Sequence, residues 1–502
     1  MRTVLIANRG EIAVRVIRAC RELALRTVAV YSEADADALH PRLADTRVLL
    51  GPAAPRESYL NIGRLIDAAR GSGADAVHPG YGFLSESPEF AAAVRDAGLI
   101  WIGPPSDVIA RLGDKRAARG LAERAGVPVV PGFDAPDASD AVLTAAARRL
   151  GLPVMIKAAA GGGGRGMRLV ERAEELLQAL AAAHREARAA FGSGALLLER
   201  YLPEIHHVEV QVLADEHGGV STLGERDCSV QRRHQKIIEE APSPCVNPAL
   251  RAQITAAAAA VARAAGYVNA GTVEFLVDAA GQFYFLEVNT RLQVEHPVTE
   301  AVTGVDLVKA QLRIASGAPL DPEPAPVRGH AIECRVYAED PADGFVPSPG
   351  PVWALDEPAG PGIRIDSGLR TGWRVPVAYD PLLAKVIVWD RTRPEAVARM
   401  AEALRRYVIL GCTTNLNFLE DVVGHEAFVR GDTTTRFLEQ HLPSWGPGAS
   451  GLQVAAAAAL EALFDEQPGA APPGGRVAIA DRAEIRDPWD TTGRWRMGAR
   501  HA

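Results

Sequence analysis

The sequence predicts an α/β protein. Its N-terminal part reads as a doubly wound parallel sheet, followed by a small α+β lid and a larger α+β region with a mainly antiparallel sheet. Three observations carry this. Strand and helix patterns alternate over the first hundred residues. A glycine run at 161–164 lies between two strand patterns. Hairpin signals then recur after residue 200.

In chain order, "TVLIA" is an apolar run of strand length, and Ile12, Val16, Cys20 and Leu23 recur at helical spacing. "TVAVYS" is a second strand. "SPEFAAAVRDAG" offers Ser87 as N-cap, Pro88 at the first helical position and Gly98 as the stop, leading into the strand "LIWIG". The first turn, "ANRGEIAVR", holds one glycine and no G-x-G-x-x-G, so it does not support a dinucleotide site.

A helical connector follows, ending in "GVPVVPGFDAP". "PVMIKAAAGGGGRGMRLV" then sets a strand on each side of the glycines. Helices are expected at about 249–265 and 304–316. After "LPSWGPGASG" the composition shifts, and "PGAAPPGG" reads as a linker. The resulting boundaries are 1–113, 114–202, 203–445 and 446–502.

Bulk properties exclude several classes. The 502 residues, 48% hydrophobic and 23% charged, describe a globular protein of two or three domains. A net charge of −8 gives no basic footprint for nucleic acid or an anionic membrane. No apolar run approaches the ~18 residues of a membrane span. The five cysteines form neither C-x-x-C nor a zinc spacing, which points to a reducing, cytoplasmic setting.

The chemistry centres on "FLEVNTRLQVEHPVTE", residues 285–300. Strand alternation puts Glu287, Asn289, Arg291, Gln293 and Glu295 on one face. "GTVEFLVDAAGQFYFLEVN" reads as a hairpin, and a turn centred between Ala280 and Gly281 sets Glu274 opposite Glu287. Like charges across a ladder repel unless a cation lies between them, and oxygen ligands including Asn289 suit Mg²⁺ or Mn²⁺. Arg291 and Gln293 can hold a small planar oxyanion, and Glu295 can accept a proton. Together these features suggest phosphoryl transfer to a small oxyacid.

The loop of Gly162, Gly163, Gly164 and Gly166 can bring backbone N–H groups to phosphates, and Lys157 precedes it. In "CSVQRRHQKIIEEAPSP", alternation places His234 and Lys236 on one side. Taken singly, His78 and Tyr81 of "HPGYGFLSE" are more simply structural residues of a turn.

Together these motifs, with "IANRGEIAVRVIRA", "GDK", "ERDCSVQRRHQKIIEEAPSP" and "RGHAIECRVYAEDP", resemble the biotin carboxylase component of biotin-dependent carboxylases, an ATP-grasp family. The resemblance covers about residues 1–445, and "EPAGPGIRID" and "YDPLLAKVI" look most like acyl-CoA carboxylase α chains. It implies Mg·ATP-dependent carboxylation of biotin by bicarbonate through carboxyphosphate. On that resemblance Lys115, Lys157, His234 and the glycine loop meet ATP phosphates. Glu199, Arg200 and Leu202 hold adenine, while His207 and Gln231 lie near the ribose. Glu274, Glu287 and Asn289 match the metal ligands. Lys236, Arg291, Gln293 and the Val294 backbone match the bicarbonate site, with Glu295 as base. Arg335 matches the group that stabilises the biotin enolate, and Tyr81 lies near the biotin ring.

Two departures stand out. The family's frequent E-K-Y at the adenine hinge is "ERY" here, and none of the five methionines adjoins a lysine as in a Met-Lys-Met biotinylation site. Biotin is therefore expected on another domain or chain, with a biotin carboxyl carrier and a carboxyltransferase subunit as partners. Arg18 and Glu22 match homodimer positions of stand-alone subunits. A pyruvate or urea carboxylase domain is the nearest alternative. Another ATP-grasp ligase has no need for "TRLQVEH" together with Arg335. A non-catalytic scaffold predicts losses at these positions, and none is found.

Overall fold

The strand β1 (Thr3–Ile6) buries Val4, Leu5 and Ile6 completely at the centre of a parallel sheet. This computed structural model describes residues 1–135, 138–158, 167–321 and 326–446. β2 (Arg26–Ser32), β3 (Thr46–Gly51), β4 (Ala76–His78) and β5 (Ile100–Trp101) complete the sheet in the order β3-β2-β1-β4-β5. The helix Gly10–Glu22 links β1 to β2, and all four pairings are parallel, the doubly wound arrangement that the alternating pattern requires. Ser87 caps the helix Pro88–Asp96 by accepting from Phe90 N–H, and Gly98 follows at φ +77°.

A second, antiparallel sheet contains β6 (Gly132–Asp134), β7 (Val154–Ala158), β8 (Arg168–Val170) and β9 (Leu196–Arg200) in the order β6-β9-β7-β8. The helices Asp140–Leu150 and Leu176–Phe191 pack on it through Leu143 and Leu180 against Val154 and Ile156. The residues Gly162, Gly163, Gly164 and Gly166 lie outside the described residues.

The third sheet has eight strands. β10 (Ile205–Ala214), β11 (Val220–Arg232), β12 (Gln235–Ala241), β13 (Asn269–Asp278), β14 (Phe283–Asn289) and β15 (His330–Tyr337) are joined by the strands Ile363–Ser367 and Leu382–Asp390. The order runs β14-β13-β10-β11-β12-β15, then Leu382–Asp390 and Ile363–Ser367, antiparallel throughout. The helix Pro248–Ala265 covers Val208, Val210, Val273 and Phe275, and the helix Arg393–Arg406 covers Cys334, Val336, Val386 and Val388. This sheet therefore keeps one face apolar, and its polar side chains gather on the other.

Three local expectations need correction. The hairpin turn is centred on Ala280: Asp278 N–H donates to Gln282 O (2.9 Å) and Val277 faces Phe283. That register alone would set Glu274 against Leu286. A bulge at Leu286 shifts the pairing by one residue, so Glu274 faces Glu287 after all. Second, the strand ends at Asn289. Residues 290–295 form an irregular turn into the helix His296–Thr303, so strand alternation does not place Arg291, Gln293 and Glu295. Proline at position 297, in the first helical turn, and the full burial of Leu292 fit a helix entry better than a pleat. Third, His234 lies in the two-residue turn between β11 and β12 and not on the strand with Lys236. Arg233 (φ +49°) and His234 (φ +69°) both take the left-handed conformation that a tight hairpin demands.

Candidate active site

The polar face of the large sheet is built by β10, β11, β12, β13 and β15, which bring side chains far apart in sequence into one buried cluster. Lys236 is its hub. Its Nζ donates to Glu209 Oε2 (2.6 Å), Glu274 Oε1 (2.8 Å) and Glu295 Oε1 (2.7 Å). Arg226, fully buried, donates from Nε to Glu209 Oε1 (2.5 Å), from Nη1 to Gln211 (2.8 Å) and Thr299 (2.9 Å), and from Nη2 to Thr272 (3.1 Å) and Gln293 (2.8 Å). Arg335 donates from Nε to Glu239 Oε1 (2.5 Å) and from Nη2 to Glu295 Oε2 (3.0 Å). Glu295 thus accepts from both Lys236 and Arg335. Burial pushes its carboxyl up, but Lys236, Arg335 and Arg226 outweigh that and hold it well below the usual carboxylate range.

The two facing acids differ in environment. Glu274 is buried, yet Lys236, His207 (Nε2 to Oε2, 2.7 Å), Asn289 Nδ2 (2.7 Å) and Gln293 Nε2 (2.8 Å) keep it ionised, well below its ordinary value. Glu287 is pushed up by burial and by Glu274, against the opposing pull of Lys115, His207 and Lys236. Two carboxylates facing each other, one of them unfavourably charged, with an amide oxygen two residues on, form an all-oxygen donor set that fits a hard divalent cation. Asn289 Oδ1 accepts from Arg291 Nη2 (3.1 Å), and Arg291 Nε pairs with Glu86 Oε2 (3.1 Å) from the N-terminal region.

A second polar group lies between the lid strands and this sheet. Lys157 on β7 forms an ion pair with Glu199 on β9, and Arg119 reaches the same carboxylate at 3.4 Å. Lys115 opens the helix Lys115–Arg124 under the Asp114 cap, and burial and Lys157 lower it, while Glu287 and Glu199 pull the other way. His234 is lowered by burial and Lys157. Gln231 is buried opposite Lys236. Arg200 is exposed and its N–H donates to Pro131 O (2.8 Å), while Leu202 is half-buried just beyond β9. Tyr81 stands apart from the cluster. Its hydroxyl is buried with no hydrogen-bond partner among the described residues, and Lys385 Nζ lies 6.0 Å from its ring centroid. Lys385 donates to the Val294 carbonyl (2.8 Å).

Glu86, Glu209, Arg226, Glu239 and Lys385 are part of this cluster but were not singled out from the sequence. For Glu209 a signal existed. "HHVEVQVLAD" alternates His207, Glu209 and Gln211 with Val208, Val210 and Val212, the same one-sided polarity that marks Glu287 and Asn289.

Comparison with known proteins places the chain. It matches, in order, the model of the biotin carboxylase N-terminal domain over residues 1–109, that of the carbamoyl-phosphate synthase L chain ATP-binding domain over 114–323, and that of the biotin carboxylase C-terminal domain over 333–440. Biotin carboxylase 1 of Bacillus subtilis is 48% identical over 444 residues, covering 88% of this chain and 99% of that protein. The mitochondrial methylcrotonoyl-CoA carboxylase subunit alpha of Dictyostelium discoideum is 49% identical over 444 residues, and there the chain spans only 64% of the relative's length. Among solved structures, the biotin carboxylase domain dimer of the Hydrogenobacter thermophilus 2-oxoglutarate carboxylase, in complex with MgADP, ADP and bicarbonate, superposes with a TM-score of 0.85 at 45% identity. That match covers 89% of this chain and 99% of that one. No helix among the described residues is long and apolar enough to cross a membrane. The chain belongs to the biotin carboxylase family, ATP-grasp ligases that use ATP to carboxylate biotin.

Proposed function

We propose that this chain carries out the first half-reaction of an acyl-CoA-type carboxylase at the buried cluster around Lys236, with its residues in the following roles. Lys115, Lys157, His234 and the loop of Gly162, Gly163, Gly164 and Gly166 bind the phosphates of ATP. Glu199, Arg200 and Leu202 line the adenine, and His207 and Gln231 the ribose. Glu274, Glu287 and Asn289 hold Mg²⁺ or Mn²⁺, which when bound neutralises phosphate charge. Lys236, Arg291, Gln293 and Val294 hold bicarbonate, Glu295 takes its proton, and Arg335 with Tyr81 receives biotin.

The observation that carries this reading is Glu295, a buried carboxylate gripped on one oxygen by Lys236 and on the other by Arg335. Held so low, it is a poor base. A bicarbonate that accepts from Lys236 draws that cation off Glu295, which relieves part of the grip and raises its basicity as substrate enters, while Arg291 holds the anion from another side. The O–H proton of bicarbonate passes to Glu295, and the freed oxygen attacks the γ-phosphorus as the bond to ADP breaks. The resulting carboxyphosphate then splits to CO₂ and phosphate. That phosphate accepts the ureido N–H proton of biotin, while the Arg335 guanidinium stabilises the developing ureido oxyanion.

Biotin comes, on this reading, from a carrier on another domain or chain, and the acceptor is chosen by a carboxyltransferase. The five free cysteines support a reducing, cytoplasmic setting. The test is ADP release from Mg·ATP with bicarbonate and free biotin added singly and together. Release that requires bicarbonate and rises with biotin supports the proposal, and release indifferent to bicarbonate refutes it.

A further inference from the structure

The pairing of β12 with β15 sets Glu239 directly opposite Glu333, and both residues are fully buried. Two like charges in that position repel, and burial disfavours each of them. Glu239 Oε1 accepts from Arg335 Nε, but Glu239 Oε2 and both Glu333 oxygens have no hydrogen-bond partner among the described residues. Buried acceptors are rarely left open. One proton resolves the problem. A neutral Glu333 can donate its O–H to Glu239 Oε2, leaving a single negative charge on the pair.

The charged and titratable neighbours come from every element packed here. β12 supplies Lys236, and β15 supplies Arg335 beside the pair and Tyr337 next to Arg335, a phenol that burial pushes up to about 12. β11 contributes Cys228, and the turn after β14 contributes Glu295. The strand Leu382–Asp390 brings Lys385, which is already engaged by the Val294 carbonyl and lies 3.5 Å from Glu11 and 3.9 Å from Asp366. The helix His296–Thr303 brings His296, which burial and Lys385 keep neutral. Burial pushes Glu333 well above the carboxylate range, and burial pushes Glu239 up to about 7 despite Arg335.

We propose that Glu239 and Glu333 share one proton and act as a positioning pair that limits the negative charge around Arg335. The proposal rests on the carboxylase reading above. With the proton shared, Arg335 faces two carboxylate charges, from the pair and from Glu295. When Glu295 takes the proton of bicarbonate, only one remains, and the guanidinium attracts the biotin oxyanion more strongly. A fully ionised pair would leave two, and that gain would be lost as pH rises.

The test uses Glu333→Gln, which keeps an N–H donor toward Glu239 but has no proton to lose. Two readouts are expected. The protonated-carboxyl infrared absorption of wild type at neutral pH loses the intensity of one carboxyl in the variant. The alkaline limb of kcat for biotin-dependent ADP release moves up by about one pH unit or more. Glu333→Leu gives the same two readouts should glutamine not fold there. An unchanged carboxyl band, or an alkaline limb that stays in place, overturns the proposal. Bicarbonate-dependent ADP release by wild type in the same buffers checks the carboxylase reading separately. Without it the kinetic readout falls away, while the infrared band still tests the shared proton.

Discussion

Replacing Arg226 with methionine tests whether the polar face is held by its buried ion pairs. The change removes five hydrogen bonds, to Glu209, Gln211, Thr299, Thr272 and Gln293, at a side chain with no solvent exposure. Breaking a buried pair from one side costs about 3–5 kcal/mol. Glu209 keeps Lys236 on its other oxygen, so the lower end, about 3 kcal/mol, is expected. The loss depends on pH. Glu209 is already raised by burial, and without Arg226 its folded value climbs further above the unfolded one. A carboxyl raised in the folded state loses stability as pH rises from its unfolded value, about 4.3, toward its folded value, so the variant is hurt more at pH 8 than at pH 5. The assay is urea unfolding followed by the fluorescence of the seven tryptophans, at both pH values. The double variant Arg226→Met/Glu209→Leu should recover most of the loss, because it leaves no unpaired carboxylate. A single-variant loss under about 1 kcal/mol, or a double variant no better than the single, would refute the reasoning.

Three further outcomes are expected. Glu295→Gln should slow bicarbonate-dependent ADP release by about 10²–10⁴-fold, the usual worth of a general base, with nucleotide affinity measured by calorimetry unchanged. Glu287→Gln should raise the KM for Mg·ATP while leaving the fold intact by circular dichroism, since the variant removes the repulsion between facing acids along with a proposed ligand of the cation. Arg233→Asn with His234→Gly should raise the unfolding midpoint by relieving about 1 kcal/mol or more of left-handed strain, and weaken ATP binding through the lost imidazole.

Short-range physics made much of the fold legible. Apolar runs, a serine cap and a glycine stop mark β1, β2 and the helix Pro88–Asp96, because each depends on residues within a few positions of one another. The Glu274–Glu287 pairing was legible in outcome but not in cause. A three-residue turn and the bulge at Leu286 offset each other, and a bulge depends on how the sheet twists, which no local pattern reports. The convergence of Arg291, Gln293 and Glu295 was expected from a pleat and is achieved instead by a turn into a helix.

Residue order alone is enough for the alternating architecture, for the residue types expected of a metal, oxyanion and base site, and, through ordered motifs, for the family resemblance. What surrounds each of those residues follows from the folded chain. Lys236 meets acids from β10, β13 and the turn after β14, and Arg226 meets partners from those same three segments and from the helix His296–Thr303. The acid-against-acid contact of Glu239 and Glu333 exists because two strands about a hundred residues apart happen to be neighbours in the sheet. Long-range register is set by the packing of the whole sheet against its helices, so buried charge balance, and the proton affinities that follow from it, can be read only once the chain is folded.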